Sequence, residues 1–316
     1  MFIYGEGDIE FLKDTTQERI YQSHIDNREE RRGRRLGASQ VGNECEYSLW
    51  LSFRWASKQE DFSGRMLKLF ERGQNEEAIF IRDLKRIGID VDEVDEKTGE
   101  QFNIHMLGGH FGGYLDGVGT GFIEAPKKKH VLEFKTHNDK SFKKLKKEGV
   151  KKSKPSHYDQ CQTYMHGTGL DRAFYFAVNK NDDELYSERI EYDLSYALRL
   201  IEKAKRVIFS KFPRGKISER PDFFKCKMCS NKDVCFKEAL PERNCRTCAH
   251  STPLDSGGWS CGSTGDLLPV VEQLKGCKEH RFIPPIVGEP VSVDGQNVTY
   301  KNGYIDKGYD NEKTNR

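Results

Sequence analysis

The chain has 316 residues, 35% hydrophobic and 32% charged, with a formal net charge of +2 and a mean hydropathy of −0.78. That length allows one large domain with a small one, and the apolar fraction is enough for a core. No apolar run is long enough to span a bilayer, Met1 to Glu6 carry no secretory-signal pattern, and the near-balance of charge means that any basic surface is local. Nine cysteines without a secretion signal point to metal ligation in a reducing, cytoplasmic setting rather than to disulfides.

Residues 1–36 read as a charged arm, with a helical stretch from Gln17 to Arg35 that gathers Arg28, Arg31, Arg32, Arg34 and Arg35. A solvated helix and a phosphate-contacting arm fit this cluster equally. Ser39 is the expected N-cap of a helix whose Leu49, Trp50 and Phe53 form a buried face, with Cys45 at its start. Apolar residues at 3.6 spacing predict a helix from Phe62 towards Asp90, closed by Gly88, with Glu76 and Glu77 on it. Residues 89–105 read as strands with a turn at Lys97-Thr98-Gly99.

The centre of the chain is Gly108 to Thr136. Val131 to Thr136 alternates, so Glu133 and Lys135 share one face of a strand while Leu132 and Phe134 face the core. Asp116 precedes Gly117 and a Gly-Thr-Gly turn, which predicts a strand pair bringing it beside Glu133. Charges on such a strand are costly unless paired or metal-bound, and two carboxylates with a lysine suit Mg²⁺ or Mn²⁺ and phosphodiester hydrolysis.

After Thr136 come Lys140, Lys143, Lys144, Lys146, Lys147, Lys151, Lys152 and Lys154, opposed within the run only by Glu148 and read as a DNA-tracking loop. A helix follows Pro155, then strands over 172–178 and 188–192 and an amphipathic helix over 193–209. His157 and His166 have no evident ligand partner. This alternation fits an α/β fold, a mixed central sheet flanked by helices.

The cysteines fall into two groups. Cys226, Cys229 and Cys235 put three thiolates in one loop, which needs a fourth ligand. Cys245-x-x-Cys248, Cys261 in a Gly-Gly-Trp-Ser-Cys turn, and Cys277 predict a ribbon-like Zn²⁺ site over 241–285, with His280 as the alternative last ligand. Cys161 is left over and packed. Beyond Pro284-Pro285, a hairpin turns at Asp294-Gly295 in a 286–316 tail expected to be disordered from Asp306.

The order Asp116, then Glu133-x-Lys135, resembles the PD-(D/E)XK nuclease superfamily, and Gly113-Tyr114-Leu115-Asp116-Gly117 resembles its RecB-like branch. Arg72-Gly73 followed by Glu77 resembles the helix motif in which a Gly precedes a metal-binding His or Glu by four residues, with Glu as in phage-type exonucleases. Gln160 and Tyr164 match the Q-x-x-x-Y motif, so the resemblance covers residues 38–240. It implies a restriction-endonuclease-like core over 37–240 and a metal-dependent DNA exonuclease of phage recombination or replication, with a protein partner from that machinery. Asp116, Glu133, Glu77 and the Phe134 carbonyl would hold Mg²⁺ or Mn²⁺, Lys135 would position the attacking water, and Gln160 and Tyr164 would orient the strand or the lysine. In the cluster-bearing members a remote cysteine closes a [4Fe–4S] cluster, which here pairs Cys45 with Cys226, Cys229 and Cys235. The substrate would be single-stranded DNA or duplex ends. The rival readings are a non-catalytic DNA-binding protein with a relic core, and a metal-dependent regulator to which DNA is only a ligand.

Overall fold

The computed structural model describes residues 15–28, 32–95, 98–295, 297–301 and 303–307. The first segment, Arg31, Lys97 and the tail from residue 308 lie outside them.

Helix α1 (Thr16–Asp26) begins at a capping box in which the Thr15 side chain accepts from Glu18 N–H and Glu18 reaches back. It ends at Asn27, so the helix expected to run on to Arg35 stops short of the arginine cluster. The two-residue strand β1 (Leu36–Gly37) leads to α2 (Glu46–Phe53). Its cap is Cys45, whose Sγ accepts from Ser48 N–H, and not the predicted Ser39. Leu49, Trp50 and Phe53 are buried as their spacing predicts. Ser63 caps α3 (Gly64–Arg86).

Strands β2 (Asp90–Asp92), β3 (Asn103–Met106), β4 (Phe111–Tyr114), β5 (Gly117–Thr120) and β6 (His130–His137) follow, then α4 (Asp139–Ser153), α5 (Pro155–Thr168), β7 (Arg172–Asn179), β8 (Leu185–Glu191) and α6 (Leu194–Phe209). The main sheet runs β2-β5-β6-β7-β8, with β6 and β7 parallel and the other pairs antiparallel. The β6–β7 crossover is α4 plus α5, which cover one face; α3 covers the other. A second sheet, β1-β4-β3, stands beside it.

The two faces of β6 carry different chemistry. Leu132 and Phe134 pack with Phe80, Leu84, Phe122 and Phe174 in one core, while Val131 joins Phe142, Leu145, Tyr164 and Tyr175 in another. Phe80 of α3 stacks on Phe134 at 5.0 Å and 8°, fixing α3 over the strand.

The lysine-rich stretch is a helix and not the predicted loop. Asn138 caps it, and Phe142, Leu145 and Val150 are buried along it, a helical period hidden by the lysines between them. Gly149 breaks the helix with φ 71°, and the Val150 N–H beyond it donates to Glu188 at 2.8 Å.

The chain beyond residue 240 packs on the same core. Trp259, Ile283 and Ile286 join Trp50, Leu51, Phe53, Val207 and Ile208 in one cluster. Arg246 is buried, its guanidinium 3.7 Å from the Trp55 ring centre and 4.9 Å from that of Trp259, donating to the carbonyls of Phe53 and Arg34. Strands β9 (Ser251–Pro253) and β10 (Trp259–Cys261) form the predicted hairpin. The terminal hairpin of β11 (Pro290–Asp294) and β12 (Asn297–Tyr300) gains β13 (Ile305–Asp306). Asp306, expected to begin a disordered tail, is instead buried and paired with Arg243. No helix among the described residues is long and apolar enough to cross a membrane.

Candidate active site

The β5–β6 pairing sets Gly117 opposite Leu132, so the residue before β5 arrives beside the centre of β6. The Phe134 N–H donates to Asp116 Oδ2 at 2.7 Å. Glu133 lies on the other face of β6 from Phe134 and is fully buried. Lys135 is ion-paired with it; beyond that contact, neither Glu133 oxygen has a hydrogen-bond donor among the described residues. An anionic carboxylate so placed needs a further cation or a proton.

Three carboxylates oppose one another here. Burial first, and then the Asp116 charge, raise Glu77 to about 7. Burial raises Glu133 to about 8, with Lys135 opposing and Asp116 and Glu77 adding to the rise. Burial also raises Asp116, against the pull of Lys135 and the Phe134 N–H. For Lys135, burial works against the charge, but the Glu133 and Asp116 anions outweigh it and hold the ammonium above its usual range. Lys135 also donates to the Phe134 carbonyl at 3.2 Å. Among the described residues no three His, Cys, Asp or Glu side chains are already drawn together as a metal cage. The donor set is nevertheless of hard oxygens, clustered by charge and short of donors, which fits a divalent cation such as Mg²⁺ or Mn²⁺.

Gln160 and Tyr164 stand one turn apart on α5. Gln160 Nε2 donates to the Tyr164 hydroxyl at 3.2 Å, and that hydroxyl donates to the Tyr114 carbonyl at 2.6 Å. They therefore brace the chain two residues before Asp116. Gly113 makes room for this: a Cβ there would lie 2.9 Å from the Tyr164 hydroxyl.

No protein-family model matches the chain, and no curated protein matches it. Among solved structures, an alkaline exonuclease from Laribacter hongkongensis aligns at 18% identity and TM-score 0.39, over 60% of this chain and 90% of that one. The same exonuclease in complex with dAMP aligns at 17% identity and TM-score 0.39 over the same shares. The protein SSO0001 aligns at 14% identity and TM-score 0.41, over 71% of this chain and 97% of that one.

A buried polar triplet beside the site was not foreseen. The Tyr175 hydroxyl lies 2.9 Å from His137 Nε2 and 2.9 Å from His157 Nδ1. Burial lowers the two histidines to about 4 and about 3, so both are neutral at pH 7. Tyr175 sits in register with Glu133 on the parallel neighbour strand, and its place in the β7 alternation was the available signal. His166, by contrast, bonds Tyr192 at 2.7 Å, away from the carboxylates.

The cysteine groups assemble separately. Cys45, Cys226, Cys229 and Cys235 line one cavity of about 630 Å³. Ser48 Oγ lies 3.3 Å from Cys229 Sγ, and Asn231 holds Ser48 through both its carbonyl and its hydroxyl. Cys245, Cys248, Cys261 and Cys277 line a cavity of only about 30 Å³. Burial raises Cys245 to about 12, and the other three thiols of its group add to the rise. His280 also borders this cavity, but its Nε2 bonds the Asn244 carbonyl at 3.1 Å and burial lowers it to about 3. Cys161 is buried in the α5 core.

Proposed function

We propose that this chain is a divalent-metal-dependent deoxyribonuclease, an exonuclease, that hydrolyses phosphodiester bonds of DNA in the cytoplasm, in a phage recombination or replication setting. The observation that carries the reading is Glu133: a fully buried carboxylate beside Asp116 whose partner among the described residues is the Lys135 ammonium alone. A structural core has no use for such a group.

On this reading Asp116, Glu133 and Glu77 hold Mg²⁺ or Mn²⁺, with the Phe134 carbonyl as a further oxygen. Such an ion would supply Lewis acidity, polarising the scissile phosphate and lowering the pKa of the attacking water. Lys135, kept charged by its anionic neighbours, steadies the water and the charge that develops on the phosphate. The Phe134 N–H orients Asp116, and Gln160 and Tyr164 fix the strand that delivers it.

The same proposal assigns a [4Fe–4S] cluster to Cys45, Cys226, Cys229 and Cys235, and Zn²⁺ to Cys245, Cys248, Cys261 and Cys277. The grouping supports the division, since each set of four thiols lines its own cavity. The hydrogen bonds already made by His280 favour Cys277 as the fourth zinc ligand. Both groups would be structural, the first joining α2 to the segment after α6.

The deciding experiment is cleavage of 5′- and 3′-labelled single- and double-stranded DNA with Mg²⁺, Mn²⁺ or EDTA, by wild type and Glu133→Gln. Metal-dependent release of nucleotides from one end, lost in the variant, is the expected result. Binding without cleavage in every arm would leave a DNA-binding protein with a relic core.

A further inference from the structure

Among the described residues, Arg28, Arg32, Arg35 and Lys58 border a cleft of about 490 Å³ against one acidic residue, Glu60. Two of these guanidiniums make long ion pairs among the described residues, Arg28 with Asp61 and Arg32 with Glu242, each at 4.0 Å. Other contacts hold the guanidiniums in place. Arg28 donates to the Glu60 carbonyl at 2.7 Å, Arg32 to the Trp55 carbonyl at 3.2 Å, and Arg35 to the Tyr114 hydroxyl at 3.1 Å. Like charges gathered in one cleft, with their carboxylate partners no nearer than 4.0 Å among the described residues, attract an anion.

Aromatic rings alternate with these cations. Arg28 lies 5.2 Å from the Phe62 ring centre, Phe62 meets Phe70 edge-on at 5.1 Å, and Arg35 lies 5.0 Å from the Tyr114 ring centre. Phe70 is 43% exposed and Tyr114 53%, although both stand on regular elements where an apolar ring is ordinarily covered.

Two independent elements join the cleft to the carboxylates. On α3, Phe70 and Glu77 are seven residues apart, hence on one face and about 10 Å apart along the axis. Between them Gly73, unfavourable inside a helix, has nothing within 4 Å of where a Cβ would be. Past Arg35, whose guanidinium lies over its ring and bonds its hydroxyl, Tyr114 lies two residues before Asp116.

We propose that this cleft is the entry track for a single strand of DNA, with phosphates on Arg28, Arg32 and Arg35 and bases against Phe62, Phe70 and Tyr114. The inference rests on the nuclease reading and adds the strand class. A duplex keeps its base faces stacked inside and can offer only phosphates, whereas alternating cations and exposed rings match an unpaired strand in which every base has a free face.

The test is binding without turnover. In EDTA, a labelled single-stranded oligonucleotide and a blunt duplex of the same sequence are titrated with wild type, Arg28→Gln/Arg32→Gln, Phe70→Ala and Gly73→Ala. Wild type is expected to bind the single strand at least about tenfold tighter than the duplex. The double arginine variant should lose about tenfold on the single strand and flatten its log–log salt slope by about 1.4, two contacts at about 0.7 each. Phe70→Ala and Gly73→Ala should weaken the single strand without lowering the melting temperature. Equal binding of the duplex, or unchanged single-strand affinity in Phe70→Ala and Gly73→Ala, overturns the track even if the arginine variant fails to fold. Cleavage in Mg²⁺ is scored in parallel: cleft-dependent binding without cleavage defeats only the nuclease reading, and cleavage indifferent to the cleft defeats only the track.

Discussion

Asp116 and Phe134 are locked together across neighbouring strands, the Phe134 N–H donating to Asp116 Oδ2 at 2.7 Å. Because Phe134 adjoins Glu133 in β6, this one bond sets the separation of the two carboxylates before any metal arrives. The hydrogen bond favours the ionised form of Asp116, while the buried Glu133 has no such help beyond Lys135.

On the proposed reading, Glu133→Gln therefore removes a metal ligand and a buried ionisable group at once. DNA cleavage should fall by at least about a hundredfold, equivalent to about 2.7 kcal/mol of transition-state stabilisation. Thermal stability in EDTA should be equal to or above that of wild type. Wild-type turnover in this variant would remove Glu133 from the chemistry.

Stability without metal should decline with pH. Glu77 and Glu133 have folded values of about 7 and about 8, above the ordinary carboxylate value of 4.5. The folded protein thus holds protons that the unfolded chain has released, so the contribution of these groups is full below about pH 4.5 and lost as pH rises towards 8. Mg²⁺ needs the ionised forms, and its stabilising effect should grow over the same window. Melting temperatures in EDTA and in Mg²⁺, compared at pH 5.5, 7 and 8.5, should diverge; parallel curves would contradict the assignment of these carboxylates as ligands.

Tyr164→Phe deletes the donor to the part-buried Tyr114 carbonyl. A loss of about 1–2 kcal/mol in stability is expected. If the bond positions Asp116, kcat should fall while KM changes little, and the defect should not add to that of Asp116→Asn. A change in KM alone would place Tyr164 on the substrate instead.

Cys226→Ser and Cys248→Ser should separate the two metal groups. Anaerobically purified wild type should carry about four irons and one zinc. The first variant should lose iron and the second zinc, each keeping the other metal. Two zincs and no iron in the wild type would refute the cluster.

Replacing Lys143, Lys144, Lys146 and Lys147 by Gln tests the basic helix. Lys143 pairs with Asp139 at 2.8 Å and Lys146 pairs with Glu184, but exposed pairs of this kind contribute about 0–1 kcal/mol. Stability should scarcely move, while DNA affinity and its salt slope should fall. An unchanged slope would make α4 an ordinary solvated face.

The centre of the site was legible because strand alternation is strict: once Leu132 and Phe134 are assigned to the core, Glu133 and Lys135 must share the opposite face. What stayed hidden depended on partners remote in sequence. Cys45 was visible as a thiol but not as a helix cap, since caps are read from Ser, Thr, Asp and Asn. The period of α4 was masked by lysines whose neutralising partners, such as Glu184 in the turn between β7 and β8, are remote in sequence. Asp306 looked like solvent-facing tail because its partner, Arg243, is 63 residues away. The triplet of Tyr175 with two histidines exists only where β6, β7 and α5 meet.

The placement of Trp50 bears on how the protein is made. It is fully buried, and its cluster includes Val207, Ile208, Trp259, Ile283 and Ile286. A growing chain on the ribosome therefore exposes α2 long after that helix has been synthesised, until residues near 286 emerge to cover it. Contacts so distant in sequence also slow the final closure. A transcript cut short after residue 240 would yield a polypeptide with an open apolar flank, a client for chaperones and proteases rather than a smaller working protein.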